Sequence, residues 1–280
     1  MIILRALLNI DRRIMYGLLC LTIVVMLKWP VKQPLSTTHA VKGVYDAVEA
    51  IPHDKIAIVS IVWSSSTMAE NGPQTEAIMR HLFKRGIRFA ILPWDQQGAT
   101  LAKDIAEKVS AEMGKTYGVD WCDWGYRPAY LYQILPALAK DIPATIKKDY
   151  RGEDVRKLPM MRGVKTIHDV GLVADITPSG TLDAWISQIQ GVYKTPIVFA
   201  PTLVMVPEAY NPLDAGQIKG MLPGLPGAGQ YEQMLNYVGF GQKGSGALSG
   251  SFILIIVLII LGNVGLVASR RRRPEDGGGD

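Results

Sequence analysis

The stretch KIAIVSIVW, at residues 55–63, decides the fold. It carries one charge, at its first position, and is otherwise rich in isoleucine and valine, which favour β-strands. A short, nearly continuous apolar run is typical of a strand that is buried on both faces, as strands of parallel sheets are. The stretch therefore predicts a central strand of an α/β domain.

Helix and strand patterns alternate along the chain on both sides of this strand. Amphipathic helices are predicted at 41–51, 73–85, 99–113, 129–150 and 181–193, strands at 87–93, 119–124, 170–176 and 196–200, and shorter helices at 213–221 and 229–237. Such alternation is typical of a parallel sheet covered on both faces. The predicted fold class is α/β, with a doubly wound, mainly parallel sheet of about five strands in three layers.

The C-terminal part of the chain has the pattern of a membrane helix. Residues 251–268, SFILIIVLIILGNVGLVA, contain no charge and are followed by four consecutive arginines, Arg270 to Arg273. About 20 apolar residues cross the hydrocarbon core as a helix. Positive residues beside a span stay on the cytoplasmic side. This pattern predicts a cytoplasmic C-terminus and an extracytoplasmic main domain.

An earlier apolar run, IMYGLLCLTIVVML at residues 14–27, leaves two interpretations open. A charged start followed by a short apolar run describes a secretory signal peptide as well as an uncleaved anchor. We favour the anchor, because no A-x-A cleavage site follows the run. The predicted map is then a cytoplasmic arm at 1–13, a transmembrane helix at 14–31, an extracytoplasmic α/β domain at 32–238, a glycine-rich tether at 239–250, a second transmembrane helix at 251–269 and a cytoplasmic tail at 270–280. The expected location is the cell membrane, with two passes and both termini in the cytoplasm.

Charge and cysteine content exclude several function classes. The net charge is +5, but most of it lies in the two ends, so a nucleic-acid surface is not expected on the nearly neutral middle. Cys20 and Cys122 predict no disulfide, and Cys122 is expected in the core. The four histidines show no metal-ligand spacing, and no dinucleotide or P-loop motif follows any strand. We therefore predict no metal and no cofactor.

The loops after the predicted strands form a candidate ligand pocket. In open parallel sheets, ligands bind beyond the carboxyl ends of the strands. The candidate residues are Ser65, Ser66, Thr67, Trp94, Asp95, Tyr126, Arg127, Asp175, Thr177, Ser179 and Thr202. Hydroxyls, aromatic rings and one arginine suit a hydrogen-bonding pocket, with an anion option at Arg127.

Three features of this pocket keep alternatives open. The hydroxyl run at residues 64–67 resembles the phosphate loop of flavodoxins, but its spacing to the helix and Glu70 favour a plain loop that caps the helix. Asp175 either lines the pocket or is satisfied at the edge of its strand. Asp95 and Asp175 form an acid/base pair only if their strands approach.

Two further features suggest contacts with partners. The stretch GMLPGLPGAGQ at 220–230 predicts a partner or lipid contact through Met221, Leu222 and Leu225, the alternative being a compact loop under the domain. Asn263, between Gly262 and Gly265, is a candidate polar contact for a second helix. The alternative is that it is a polar residue that the helix tolerates without a partner.

Four sequence blocks carry a family resemblance: WSSSTMAENGPQTEAIMRHLFKRG, GKTYGVDWCDWGYRP, LPMMRGVKTIHD and PEAYNPLDAGQIKGMLPGLPGAGQYE. Together they resemble a family of membrane-anchored bacterial and archaeal proteins for which no activity is established. In that family the last block contains S-G-Q-L-x-G-L-L-G-G-L-x-G-A-A-E-Y-E, which corresponds to residues 215–232. The departures here are Lys219, Pro223, Pro226 and the pair Gly229-Gln230. The resemblance implies a membrane-attached α/β domain and implies no activity.

Three functions are compatible with these patterns. The favoured hypothesis is a membrane-anchored, extracytoplasmic binding or assembly module, a non-catalytic subunit of a membrane-associated oligomer or complex. Its expected partners are the lipid bilayer and either further copies of the chain or other membrane protein subunits. The alternatives are a membrane-tethered hydrolase with its site at the carboxyl ends of the strands, and a sensor or transporter accessory protein.

Overall fold

The computed structural model describes residues 11–29, 37–128 and 131–270. The chain divides into two compact units. One spans Leu35–Gln242 and contains the α/β domain. The other contains helix α1, Arg12–Lys28, and the chain from Lys243 onward.

The α/β unit follows the alternation that the sequence predicts. Its strands are β1 Ile56–Ile61, β2 Phe89–Pro93, β3 Trp121–Asp123, β4 Val170–Thr177, β5 Ile197–Pro201 and β6 Gly220–Met221. Its helices are α2 His39–Glu49, α3 Met68–Arg85, α4 Gln96–Glu112, α5 Leu131–Lys140, α6 Ile142–Ile146, α7 over 182–193, α8 Val206–Asp214 and α9 Gly224–Met234. Helix α7 has a π-helical middle, Ile186–Gln190. Helix α10, Phe240–Arg270, starts in this unit and continues into the other.

All the strands are parallel, in the order β3-β2-β1-β4-β5-β6. The stretch that predicts a central strand forms β1, which lies between β2 and β4. Its side chains alternate between two cores, with Ile58 in one and Val59 in the other, so both faces of the sheet are covered. The predicted α/β class and parallel sheet are confirmed, with six strands among the described residues in place of about five.

The sixth strand is where the predicted element is wrong. Residues 213–221 were expected to be helical, but Gly220–Met221 pairs with Val198 and Phe199 of β5. A two-residue strand is too short to show a period in the sequence. Met221 and Leu222 are consequently buried in the two cores, and their predicted role as a partner contact is wrong. Leu225, in the first turn of α9, is half-buried.

Glycines allow helix α2 to pack on the backbone of β6. A Cβ atom on Gly220 would lie 2.3 Å from the Val44 nitrogen, and one on Gly43 would lie 2.2 Å from the Lys219 carbonyl oxygen. No side chain fits between the two backbones, so α2 covers the edge of the sheet only because both positions are glycine.

Residues 239–250, expected to be a flexible tether, are helical from Phe240 onward. The buried Glu232 carboxylate accepts the backbone N–H groups of Gly239, Gly241 and Gln242 at 3.1, 2.8 and 2.9 Å. These are the groups that a helix start leaves without an internal partner. Glu232 thus fixes the start of α10, and the nearby glycines serve close packing: a Cβ on Gly241 would lie 2.7 Å from the Gly229 nitrogen.

Within the described residues, the stretch Phe240–Val267 is the one helical stretch with the length and apolar composition needed to cross a membrane. Helix α1, with 17 residues, does not reach this length. The predicted C-terminal membrane helix is therefore consistent with the structure, whereas the two-pass topology is not supported. The Asn263 amide donates to the Ile259 carbonyl at 2.9 Å, which satisfies it within its own helix.

The glycine contact at β6 predicts a stability change. We expect Gly220→Ala to lower the free energy of unfolding by about 2 kcal/mol or more, because the added methyl group must push α2 off the sheet. Gly180→Ala is the matched control, since a Cβ there meets nothing within 4 Å, and it should change stability by less than about 0.5 kcal/mol. Denaturant unfolding of the full chain in detergent measures both. Equal stability of the two variants would contradict the packing described here.

Candidate functional site

The order of the strands reverses between β1 and β4. The chain leaves β1 toward β2 on one side and leaves β4 toward β5 on the other. In doubly wound sheets the loops diverge at such a point and open a crevice, where ligands bind. The candidate site is therefore the carboxyl edge of β1 and β4.

A hydrogen-bonded chain of side chains lies at this edge. Ser60 of β1 is in register with Asp175 of β4, so the two side chains share one face of the sheet. The Ser60 hydroxyl donates to Asp175 Oδ1 at 2.7 Å, and Thr181 Oγ1 donates to Asp175 Oδ2 at 2.7 Å. The Trp94 indole donates to Ser60 Oγ at 3.1 Å. The chain links β1, β4, the end of β2 and the start of α7.

The Asp175 carboxyl is fully buried. Burial raises its pKa to about 6, and the hydrogen bonds from Ser60 and Thr181 oppose this rise. Both carboxyl oxygens have hydroxyl partners, and neither partner is cationic. The group is therefore held by neutral donors, which orient it without neutralising its charge.

A rim of hydroxyl groups lies outside this buried chain. On the β1 side, Ser64 Oγ is 2.9 Å from Ser66 Oγ, and Ser65 Oγ donates to Gln97 Oε1 at 3.0 Å. On the β4 side, Thr177 Oγ1 is 2.9 Å from Ser179 Oγ. Ser65, Ser66 and Ser179 are exposed and can exchange these contacts for a ligand.

The loop between β1 and α3 is shorter than the sequence predicts. Residues 65–67 form a 3₁₀ turn and α3 begins at Met68, whereas its predicted start was Pro73. The Glu70 carboxylate accepts the Leu203 N–H at 2.9 Å, so it is engaged with the loop after β5. The Thr67 hydroxyl oxygen is buried and has no hydrogen-bond partner among the described residues.

Other predicted site residues have structural roles. Asp95 caps α4 by accepting the Gly98 N–H at 2.8 Å, and it shares no hydrogen bond with Asp175 in the described part of the chain. Thr202 is buried after β5, where its N–H donates to the Thr177 carbonyl at 3.3 Å. Tyr126 is exposed beyond β3, two strands from β1.

Arg127 binds the protein's own backbone through one of its guanidinium nitrogens. Its guanidinium donates to the backbone carbonyls of Trp124, Ile146 and Lys148. These bonds close the loop after β3 onto the segment after α6. All three bonds come from Nη2, and Nε is buried without a hydrogen-bond partner among the described residues, so the anion option at Arg127 stays a prediction.

Sequence reasoning missed Ser60, Thr181 and Gln97. Ser60 is the one hydroxyl inside the apolar stretch that decides the fold, which is a visible signal. Its partner, however, is 115 positions away, and only the register of β1 with β4 reveals it. The pairing of Gln97 with Ser65 likewise depends on how α4 meets the end of β1.

A second buried carboxyl, Asp123, lies at the end of β3. Burial raises its pKa to about 6, and its Oδ1 accepts the Gly125 N–H at 2.7 Å. Cys122 beside it is fully buried in the core, as expected, and burial raises the pKa of its thiol. His81 is also buried, between Tyr231 at 2.6 Å and Glu49 at 3.0 Å. Among the described residues, no group of three His, Cys, Asp or Glu side chains is placed to hold a metal.

No protein-family model matches the chain, and comparisons with the curated proteins and with the solved structures find no match. The resemblance carried by the four sequence blocks therefore stays a prediction. Function has to be argued from the geometry of the site.

The raised pKa of Asp175 predicts a pH-dependent stability. Because the folded pKa lies above the unfolded value of about 3.9, this group favours the folded state fully below pH 4 and loses that contribution as pH rises through 6. Asp175→Asn removes the titration. We expect the stability difference, wild type minus variant, to fall by up to about 3 kcal/mol between pH 4 and pH 8.

Denaturant unfolding at a series of pH values measures this difference. Ser187→Ala, which removes no titratable group from an exposed position of α7, is the control and should give a difference that does not change with pH. A flat profile for Asp175→Asn as well would show that the buried carboxyl does not titrate near pH 6.

Proposed function

We propose that the protein is a membrane-attached binding module, a non-catalytic subunit that holds a small polar ligand or a polar group of a partner in the crevice between β1 and β4. Helix α10 attaches the domain to the bilayer. The proposal includes further copies of the chain or other membrane subunits as its partners.

One observation carries the proposal: the chain Trp94–Ser60–Asp175–Thr181 lies beneath exposed hydroxyls at the point where the strand order reverses. Ser60 and Asp175 are fully buried, Trp94 and Thr181 are half-buried, and the hydrogen bonds among the four hold the layer in place. The exposed layer keeps donors and acceptors that a ligand can use. Small-molecule sites usually combine a rigid floor with a few exposed polar groups that contact the ligand.

The hydroxyl partners favour binding over nucleophilic catalysis. An activated serine needs an adjacent base. Ser65 is paired with the Gln97 amide oxygen and Ser64 with Ser66, and neither partner is a base. Ser60 and Thr181 do contact the Asp175 carboxylate, but Ser60 and Asp175 are fully buried and Thr181 is half-buried.

A membrane-tethered hydrolase remains the second candidate because of Asp175. Its pKa of about 6 is in the range that suits a general base near neutral pH. Such a role requires the carboxyl to become exposed when substrate binds. Hydrolysis that Asp175→Asn abolishes would favour this candidate over the binding module.

The surface of α10 supports attachment to lipid. Large apolar side chains are exposed along the helix, with Ile253 63% and Ile259 57% accessible. A continuous apolar surface of this extent needs lipid or another protein to cover it. In the same unit α1 lies against α10, because a Cβ on Gly250 would be 3.1 Å from Met26 Cγ. We include in the proposal that α1 enters the bilayer beside α10, with the arginines at both ends on the cytoplasmic side.

Blocking the crevice should abolish ligand binding. We expect a fragment library of hydroxylated and amide compounds to raise the melting temperature of the full chain in detergent. Ser179→Trp should remove these shifts, because the bulky ring fills the β4 side of the rim. Ser187→Trp, at an exposed serine on α7, is the matched control and should keep them. Shifts that survive in both variants would place the ligand elsewhere, and a library without any shift would count against the binding module.

Charges placed in α10 should weaken membrane attachment. We expect Ile256→Asp combined with Ile260→Asp to release the chain from membranes in an alkaline carbonate wash, since each carboxylate costs about 3 kcal/mol at the centre of a span. Val192→Asp combined with Val204→Asp is the control, because these exposed valines belong to the α/β unit. Retention of both double variants would show that α10 is not required for attachment and would leave α1 as the anchor.

A further inference from the structure

A basic groove lies on the α/β unit, apart from the crevice. It is lined by Lys140, Arg156, Arg162 and Lys165, with Asp141 as its one acidic side chain. The groove is open to solvent and has a volume of about 550 Å³. Sites for small molecules are typically about 300–1,000 Å³, so the groove is large enough for one.

The groove is at the opposite edge of the sheet from the crevice. Arg88, which directly precedes β2, ties the lining residue Arg162 to the amino ends of the strands by donating to its carbonyl at 3.3 Å. The Arg88 guanidinium donates to the Met160 carbonyl at 2.6 Å and to the carbonyl of Asp54, which precedes β1, at 2.8 Å. The two sites are therefore separated by the length of the strands.

Backbone hydrogen bonds hold the walls of the groove. The N–H of Ile142, which begins α6, donates to the Lys165 carbonyl at 2.8 Å. The Asp169 carboxylate accepts the N–H groups of Lys165 and Thr166 at 2.8 and 2.9 Å. The positions that carry the positive side chains are thus fixed before any ligand arrives, which reduces the entropy lost on binding.

The positive charges of the groove are largely free. In the described part of the chain, Lys140, Arg162 and Lys165 have no acidic partner within 4.0 Å, and Arg156 reaches Asp154 only at 4.0 Å. Asp141 is engaged as the cap of α6, where it accepts the Ala144 N–H at 2.8 Å. The groove therefore presents several cations that the protein itself does not neutralise.

The basic residues of the groove are not apparent from the net charge of the whole unit. Residues 140–165 contain eight Lys or Arg and four Asp or Glu, whereas the unit Leu35–Gln242 contains 20 basic and 21 acidic residues. A net count of the domain is thus close to zero although one segment is strongly positive. A concave surface of one sign concentrates ions of the opposite sign.

We propose that this groove binds a phosphate-bearing anion, either a soluble phosphorylated small molecule or the headgroup of an anionic phospholipid. Guanidinium groups bind phosphate oxygens through paired N–H donors, and lysines add point charges. Arginine and lysine on both walls of the groove supply this combination. The site is independent of the crevice and of the function proposed for it.

Calorimetric titration of the full chain in uncharged detergent tests the site. The probes are inorganic pyrophosphate and dihexanoyl phosphatidylglycerol, with dihexanoyl phosphatidylcholine as the headgroup without net charge. Arg162→Gln combined with Lys165→Gln should weaken binding by about tenfold or more, because two charge-assisted contacts are lost. Lys147→Gln combined with Lys157→Gln removes the same charge from exposed positions outside the groove and should change binding by about twofold or less.

The outcomes separate the two sources. If pyrophosphate binds, the natural ligand is a soluble phosphate compound. If only the phosphatidylglycerol binds, the ligand is a lipid headgroup. Both conclusions require that the groove variant loses affinity and the control variant does not. Equal loss in both double variants, or no binding of either probe, overturns the proposal. Lys140→Gln combined with Arg156→Gln, on the other wall, replaces the first variant if that one does not fold.

Discussion

The pairing of Ser60 with Asp175 is the contact on which the centre of this structure depends. An ionised carboxyl between two buried strands is unfavourable unless hydrogen bonds hold it. Here register places a serine directly opposite it, and Thr181 supplies the second donor. The same contact brings Trp94 to the end of β1. One buried group thereby links strand β1 to the loops that follow β2 and β4.

The two edges of the sheet carry different chemistry. The carboxyl edge presents neutral hydroxyls above a buried carboxyl, and the amino edge presents the lysines and arginines of the basic groove. The hydroxyl rim suits neutral polar groups, whereas the groove suits anions. The Glu232 carboxylate adds a constraint of its own, since it fixes the first turn of α10 to the α/β unit. Residues 240–242 are therefore the start of a helix and not a flexible tether.

The parts of the fold that could be predicted are those whose apolar pattern repeats over many residues. Strand β1 and the alternation of strands with helices were visible because apolar runs and amphipathic helices repeat over many residues. Strand β6 was missed because two residues show no period, and the start of α3 was placed late because Pro73 resembles a first-turn proline. Asp175 stood out as a carboxylate in an apolar strand, but Ser60 and Arg127 could not be assigned. Their partners depend on strand register and on a loop that folds back from α6.

The most direct test of the central claim is the mass of the particle extracted in mild detergent from the membrane in which it is made, measured by native mass spectrometry. A binding or assembly module predicts a mass above that of one chain, through further copies, partner chains or a retained ligand. Dissociation in the gas phase would then identify which of these is present. A particle with the mass of the single bare chain, at the lowest detergent concentration that keeps it soluble, would contradict the account.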